Sequence, residues 1–179
     1  LKAMHEAGHT IGSHTWSHAH LDSKKLTEAQ MKEEIEKGFS AVKTAIGTAP
    51  APFFRFPGLG HTQVALGYLA SRNISMFSVD VDSNDFRSSG PDQVINNVMT
   101  KLDKQGKGVI LMHDLQKSTA QALPTLLRRL KAGGYKVVHM RAKEQLETLP
   151  EYDAMLVKDQ KVPAVASRPI SSVVQTVTQ

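Results

Sequence analysis

The chain has 179 residues, of which 40% are hydrophobic and 22% charged, with a net charge of +5 and no cysteine. This length and composition fit one globular domain with a core, and they exclude disulfides, thiolate metal sites and cysteine nucleophiles. No run approaches the roughly 18 apolar residues of a membrane span, and no basic stripe is interleaved with aromatics, so we expect no membrane span and no nucleic-acid partner.

The first eight residues, LKAMHEAG, have the pattern of a helix end with Gly8 as its C-terminal stop. A natural chain would begin with Met, and an exported precursor would begin with a basic and then apolar signal segment. We therefore expect the chain to begin within a domain, with upstream residues contributing to the same fold.

One unit recurs along the chain: an amphipathic helix, a Gly or Asn stop, a short apolar run and then polar residues. Apolar runs typical of strands lie within residues 6–14, 52–57, 71–82, 104–114 and 131–140. Strands that alternate with helices of this length predict parallel β/α units, in an open sheet or a barrel.

The segments between these strands have apolar residues at helical spacing. Helices are predicted from a capping box at Thr27 and Gln30 to Gly47, over residues 64–72, from Gly90 to about Leu102, and over residues 120–132. The positions expected to be buried are Met31, Ile35, Phe39, Val42, Ile46, Val94, Ile95, Val98, Leu102, Leu123, Leu126, Leu127 and Leu130. From Val157 onward the helical period is absent, so we expect a domain over residues 1–156 and an extended or disordered tail over residues 157–179.

Polar residues capable of chemistry follow the strand candidates. His14 and His18 follow the first, Arg55 the second, Asp82 and Asp85 the third, and His113 the fourth. Parallel strands bring their carboxyl ends together, so residues distant in the chain would converge at one end of the sheet. The sequence therefore predicts an active site at that end.

His14 and His18 have the i, i+4 spacing that places two imidazoles on one face of a helical turn, close enough to share a metal ion. A solvated, histidine-rich loop is the alternative. His20 lacks this spacing and is expected to pack or to lie on the surface, and Trp16 is expected in the core.

His113 follows the apolar run 109–112, so it is either a core histidine bonded to a backbone carbonyl or a general acid. A general acid needs an acidic neighbour to orient it, and Asp85 or Asp82 could reach it from the adjacent strand end. Asp114 should project to the opposite side of the strand.

Arg55 lies between two phenylalanines, where a guanidinium is costly to desolvate unless it meets a carboxylate. No acidic residue precedes it in its own loop, so we expect its partner to come from another strand end. Gly58 permits a close approach of the backbone, and its N–H could face a developing oxyanion.

In chain order, these residues resemble four motifs of the polysaccharide deacetylases, carbohydrate esterase family 4, also called the NodB homology domain. The stretch HTWSH at 14–18 is similar to the metal-binding motif H-[ST]-x-x-H, and FRFPG at 54–58 is similar to R-x-P followed by an oxyanion-binding residue. DSNDF at 82–86 resembles D-x-x-D-[WY], and LMH at 111–113 resembles the motif that carries the general acid.

The resemblance implies a distorted (β/α) barrel of fewer than eight strands. It implies hydrolysis of N-acetyl groups on N-acetylglucosamine-containing polysaccharide, such as chitin, chitooligosaccharide or peptidoglycan, outside the cytoplasm, in an extracellular or periplasmic location. The site would hold a divalent metal, usually zinc, with cobalt and nickel as alternatives. The residues that match the family's motifs are His14 and His18 as metal ligands, His113, Asp85 and Arg55 as catalytic residues, and Gly58, Pro57, Leu111 and Asp82 in oxyanion or substrate binding.

The chain departs from the family pattern in three places. Gly58 stands where tyrosine is common, and Phe86 replaces the usual Trp or Tyr. The motif T-F-D-D, which supplies the catalytic base and a third metal ligand, is absent, because no aspartate precedes His14. We therefore expect the N-terminal strand of the barrel to be missing and the chain to be the C-terminal part of a longer enzyme. A non-catalytic carbohydrate-binding domain and an esterase for O-acetyl groups of xylan are the alternatives, and the oligomeric state stays open.

Overall fold

The computed structural model describes residues 1–159 of the chain. Its helices are α1 (Lys2–Glu6), α2 (Glu28–Ile46), α3 (Gln63–Ser71), α4 (Pro91–Gln105), α5 (Lys117–Ala132) and α6 (Pro150–Asp159). Its strands are β1 (Phe53–Phe54), β2 (Ser75–Met76), β3 (Val81–Asp82) and β4 (Ile110–Leu111). Short 3-10 turns cover Pro57–Leu59 and Asp85–Arg87.

The strands form two parallel pairs, β1 with β2 and β3 with β4. Ser13 adds a parallel bridge to Phe54, and the backbone bonds from Ala51 to Ile11 and from Arg55 to Ser13 extend this pairing. The chain passes through a helix within each pair, as parallel strands require. The described residues therefore form part of a (β/α) barrel, as the sequence predicts.

Three apolar cores hold the helices of residues 1–159 against these strands, and the smallest of them contains Ile11, Val42 and Ile46. The first core, under α2 and α3, contains Leu21, Met31, Ile35, Phe39, Phe54, Phe56, Ala65, Leu69, Ile74 and Leu146. The second core, under α4 and α5, contains Val81, Val94, Ile95, Val98, Leu102, Ala122, Leu126 and Leu130. The capping box at Thr27 is present and Gly47 ends α2 in the left-handed conformation, so the local signals that predict this helix are confirmed.

Three of the predicted strand segments differ from the structure, and within residues 6–14 the structure has an isolated bridge at Ser13 in place of a strand. Residues 71–82 contain two separate short strands, β2 and β3, and residues 135–140 are not a strand. Val137 and Val138 are 74% and 73% exposed, and no neighbouring strand within the described residues pairs with their backbone. An apolar run forms a strand only where a partner accepts its hydrogen bonds.

The same flank of the molecule exposes part of the α5 stripe. Leu126 and Leu130 are buried as predicted, but Leu123 and Leu127 are exposed. They line an apolar groove of about 690 Å³ together with Val109, Val137 and Met140. Periodicity identifies the apolar face of a helix, but it does not show what covers that face.

The last described element, α6, packs on α2 through an ion pair between Lys43 and Asp153 at 2.8 Å. This helix was not predicted, and it places residues 157–159 in a helical turn. The rest of the predicted tail, residues 160–179, lies outside the described residues. Among the helices of residues 1–159, none combines the length and hydropathy needed to cross a bilayer.

Candidate active site

The segment HTWSH at residues 14–18 forms a loop and not a helical turn, so the predicted helical geometry is wrong. Two of its residues have positive φ, Thr15 at 66° and His18 at 62°. These left-handed residues fold the loop back on itself and bring the two imidazoles together. The ring centroids of His14 and His18 are 5.0 Å apart, with an interplanar angle of 76°.

Helix α2 anchors this loop. Trp16 donates its backbone N–H to the Glu34 carbonyl at 2.9 Å, and Ser17 donates both its N–H and its hydroxyl to the Glu34 carboxylate. At Gly38, a Cβ atom would lie 2.7 Å from the Ser13 hydroxyl, so the close approach of α2 to the loop requires glycine. Trp16 is half-buried, with the ammonium of Lys37 4.9 Å from its ring centre, so it is not the core residue that we expected.

The His14 ring has a defined orientation. Its Nδ1 donates to the Arg55 carbonyl at 2.6 Å, which leaves the lone pair of Nε2 free. Burial lowers the pKa of His14 to about 4, and the nearby charges of Arg55, His18 and His113 add to this effect. His14 is therefore neutral at pH 7, the state in which an imidazole can bind a metal ion.

His113 follows β4 and contacts Asp85, which lies in the loop after the neighbouring strand β3. Nδ1 of His113 donates to Oδ1 of Asp85 at 2.8 Å, so the predicted contact with Asp85 is present. The backbone N–H of His113 and the hydroxyl of Thr119 both donate to Oδ2, the latter at 2.6 Å. Burial raises the pKa of Asp85, but these bonds from Thr119 and His113 outweigh it and hold the pKa below its usual value. Asp114 is exposed.

Arg55 is half-buried at the end of β1, and burial lowers the pKa of its guanidinium. We expected a carboxylate partner from another strand end, but within residues 1–159 the guanidinium has none. Arg55, His14 and Leu111 line one cavity of about 420 Å³.

The turn after Arg55 contains Gly58, which is exposed and has φ of 64°. A Cβ atom there would lie 2.4 Å from the ring of His20, so the imidazole lies directly against this glycine. His20 is exposed, in agreement with the predicted surface position, and its ring centroid is 6.1 Å from that of His18. Pro57, in the same turn, is buried.

The remaining predicted residues lie on β3 and β4. Leu111 is 9% exposed and pairs with Asp82 across the two strands. One carboxylate oxygen of Asp82 accepts the backbone N–H of Asn84 at 2.8 Å, as in a turn. Phe86 is 49% exposed, and its ring centroid lies 5.9 Å from that of His113.

Within the described part of the chain, no three His, Asp or Glu side chains converge closely enough to hold a metal ion. Asp22 lies against Gly60 and not beside the two imidazoles. Since a catalytic zinc site normally has three protein ligands, His14 and His18 fit such an ion as part of a ligand set.

Three contributors to the site were not identified from the sequence: Glu34 and Gly38, which anchor the histidine loop, and Thr119, which binds Asp85. Gly38 lies inside an otherwise regular helix, and a glycine at such a position indicates close contact with another segment. The sequence alone could therefore have identified Gly38. Glu34 and Thr119 carry no such signal, because their partners are distant in the chain.

Comparisons with known proteins relate this chain to a protein family. Residues 1–77 match the family model described as Polysaccharide deacetylase. The peptidoglycan-N-acetylglucosamine deacetylase PgdA of Listeria monocytogenes is 33% identical over 143 residues, which cover 77% of this chain and 28% of that protein.

Two solved structures extend the comparison. The Bdellovibrio bacteriovorus peptidoglycan deacetylase Bd3279 superposes with a TM-score of 0.72 at 30% identity, covering 80% of this chain and 40% of that chain. A mutant of the Bacillus anthracis protein BA3943, a family 4 pseudoenzyme with restored enzymatic activity, superposes with a TM-score of 0.68 at 25% identity, covering 76% and 48%. The chain thus spans less than half the length of each of these proteins. Residues 1–77 belong to the polysaccharide deacetylase family, and the fold of the described residues is that of the family 4 carbohydrate esterases.

Proposed function

We propose that this chain provides the metal-binding and proton-donating parts of an enzyme that hydrolyses N-acetyl groups on N-acetylglucosamine-containing polysaccharide. One observation carries the proposal: His14, His18, Arg55 and the hydrogen-bonded pair of Asp85 and His113 follow separate strands and meet at one end of the barrel. Membership of the deacetylase family supports the same reaction.

The metal site would use Nε2 of His14, which is left free by the bond from Nδ1 to Arg55, and the ring of His18. Zinc is the first candidate, and cobalt or nickel are alternatives, because imidazole and oxygen ligands suit all three. A bound divalent cation would polarise the amide carbonyl and acidify an attacking water.

The proton donor would be His113. Its Nδ1 proton is committed to Asp85, so Nε2 carries the second proton of the imidazolium and would deliver it to the amide nitrogen. Water would add its oxygen to the carbonyl carbon and lose a proton to a base outside the described residues. The carbon–nitrogen bond would then break as the nitrogen takes the His113 proton, and the products would be acetate and a free amine. Asp85 would stabilise the imidazolium that exists before this transfer.

The turn after β1 would bind the substrate carbonyl. The backbone N–H of Gly58 is the proposed oxyanion donor, and the half-buried guanidinium of Arg55 would add positive charge on the same side. Pro57 in this turn, Leu111 on β4 and its pairing partner Asp82 on β3 would shape the substrate pocket.

The described residues supply neither a catalytic base nor a third metal ligand. No aspartate precedes His14, and the carboxylates of Asp22 and Asp82 lie against Gly60 and Asn84. We therefore propose that residues 1–156 are the C-terminal part of the catalytic domain, and that an upstream Asp-Asp strand supplies both missing groups.

The same shortage favours a second candidate function, a non-catalytic domain that binds acetylated glycan without turnover. The two differ in whether an Asp-Asp pair exists in the complete gene product. For the enzyme, chitin, chitooligosaccharide and peptidoglycan are the proposed substrates. Because such polymers lie outside the cytoplasm, we propose an extracellular or periplasmic location.

The test is acetate release from an N-acetylglucosamine oligomer and from peptidoglycan, with added zinc, by residues 1–179 and by the full gene product. We expect turnover by the full product alone, since losing the base costs a factor of about 10² to 10⁴. Robust turnover by residues 1–179 would require a base within them, with Asp22 and Asp82 as the first candidates. Glycan binding without turnover by the full product would establish the second function.

A further inference from the structure

Thr119 makes an unusual contact for a threonine at the start of a helix. It lies in the first turn of α5 and is 6% exposed, and its hydroxyl donates to Oδ2 of Asp85 at 2.6 Å. Helical threonines often donate to a backbone carbonyl three or four residues earlier. Here the hydroxyl instead joins α5 to the loop after β3, 34 residues away in the chain.

The Asp85 carboxylate has little freedom to replace a lost donor. Its side chain is 0% exposed, so solvent does not reach it. Three donors from the described residues bind it: Nδ1 of His113 at Oδ1, and the His113 backbone N–H and the Thr119 hydroxyl at Oδ2. Two of these three donors belong to His113, and Thr119 provides the third.

This arrangement fixes the plane of the carboxylate. A carboxylate can rotate about its Cβ–Cγ bond, and a second anchor on Oδ2 holds Oδ1 in place for Nδ1 of His113. The bonds from Thr119 and His113 also keep the pKa of Asp85 below its usual value. The carboxylate therefore stays ionised and can only accept hydrogen bonds. Nδ1 of His113 must then carry a proton, and the ring orientation follows from that bond.

We propose that Thr119 is a positioning residue, which acts through Asp85 to fix the ring orientation and the Nδ1-protonated form of His113. The inference rests on the proposed function in one respect, that His113 is the proton donor. The orientation of the ring is independent of that function and can be measured separately.

The first test compares two variants of the full gene product loaded with zinc. Thr119→Val keeps the volume and β-branch but removes the hydroxyl, and Thr119→Ser keeps the hydroxyl. We expect Thr119→Val to lower kcat by about 10- to 100-fold, the range typical for losing a side chain that orients an active-site histidine, with KM within about 2-fold. Thr119→Ser should stay within about 3-fold of the parent in kcat. Equal losses in both variants would overturn the proposal.

A double-mutant cycle separates positioning from packing. In the Asp85→Asn background, adding Thr119→Val should change kcat by less than about 2-fold, because the hydroxyl acts through the carboxylate. The same loss in both backgrounds would show that Thr119 acts by packing α5, against the proposal. Thr119→Ala, a good helix former, takes the place of Thr119→Val if circular dichroism shows that the valine variant is unfolded.

NMR of isotope-labelled histidine tests the geometry without reference to activity. The parent protein and Thr119→Ser should show a slowly exchanging Nδ1 proton on His113, and Thr119→Val or Thr119→Ala should lose it. If that proton is unchanged in the hydroxyl-free variants, the proposal is wrong. If no protein, the parent included, releases acetate, the proposed function fails, and the NMR result still decides the role of Thr119.

Discussion

The two halves of the site differ in how far the chain itself completes them. The acid half, which we propose supplies the proton, consists of Asp85 and His113 after β3 and β4 and of Thr119 in α5, and it is a closed network in which the buried carboxylate has three donors. The metal half, the proposed metal site of His14 and His18 beside β1, has one oriented imidazole, one exposed imidazole and no third candidate ligand within residues 1–159.

The metal half carries backbone strain at two residues that rarely adopt positive φ, whereas the positive-φ residue next to Asp85 is Asn84, a type that tolerates this conformation. Thr15 is β-branched and has φ of 66°, and His18 has φ of 62°. Positions of this kind cost of order 1–3 kcal/mol each and persist only where the surroundings enforce them. Glu34 of α2 supplies that enforcement through three hydrogen bonds to Trp16 and Ser17. The acid half is thus complete within residues 1–159, whereas the proposed metal site lacks a third ligand there.

The largest effect should come from the acid half. In the full gene product, we expect His113→Ala to lower kcat by about 10² to 10⁴, the range for a lost general acid. Zinc affinity should stay within about 2-fold, since His113 is bonded to Asp85 and not placed among the ligands. Kinetics and zinc titration measure the two quantities. Asp114→Ala, at the exposed neighbouring position, is the control and should change neither. If His113→Ala also lost zinc affinity, His113 would be a zinc ligand and would belong to the metal half.

The next effect should come from the metal half. His14→Ala should weaken zinc binding by more than about 100-fold, beyond the 10- to 100-fold typical of partners that only orient a ligand. His20→Ala is the matched control, because His20 is a third histidine of the same loop whose ring lies against Gly58. It should leave zinc affinity within about 3-fold. Isothermal titration of the full gene product measures both, and an equal loss for His20→Ala would include that residue in the ligand set.

The halves should also differ in the pH range that destabilises them. The pKa of His14 is lowered to about 4 in the folded chain, against about 6.5 when unfolded. Between these pH values the unfolded state binds more protons than the folded state. The contribution of His14 to the free energy of unfolding is therefore complete above about pH 6.5 and decreases as the pH drops toward 4. For Asp85, whose pKa is also lowered, the loss begins only near its unfolded value of about 3.9.

Urea unfolding of the metal-free full gene product at about pH 7 and about pH 5 measures the His14 contribution. His14→Gln should shrink the difference in unfolding free energy between the two pH values, and the exposed His61→Gln should preserve it. An unchanged difference in His14→Gln would show that His14 is not the group that titrates.

Sequence predicted the acid half better than the metal half for a physical reason. The contact of Asp85 with His113 follows from two polar residues at the ends of adjacent parallel strands. The spacing of His14 and His18 correctly predicted that the two rings are close, but it wrongly predicted a helical turn. The loop instead depends on positive φ at non-glycine residues, which the sequence does not indicate. Glu34 and Thr119 were missed because their partners are set by packing between distant segments.

The same distinction holds for the fold. The apolar stripe of α2 is buried as predicted, because helical periodicity is a local property. The run at residues 135–140 has the composition of a strand but is not one, because strand formation depends on a neighbour that local composition cannot report.

The smallest predicted effect concerns the turn that joins the metal half to the substrate pocket. Gly58 has φ of 64°, and a Cβ atom there would lie 2.4 Å from the ring of His20. Gly58→Ala should lower the free energy of unfolding by about 1–2 kcal/mol, from the left-handed conformation and from displacement of that ring. Adding His20→Ala should recover the part of this loss that is due to the ring.

Gly67→Ala is the matched control, because Gly67 lies inside α3 with no atom within 4 Å of an added Cβ, and it should stabilise by about 0.5–1 kcal/mol. Denaturant unfolding of the full gene product measures all four proteins. If Gly58→Ala were as stable as the parent, the turn would not hold its left-handed conformation, and the backbone N–H proposed to bind the oxyanion would lack a fixed direction.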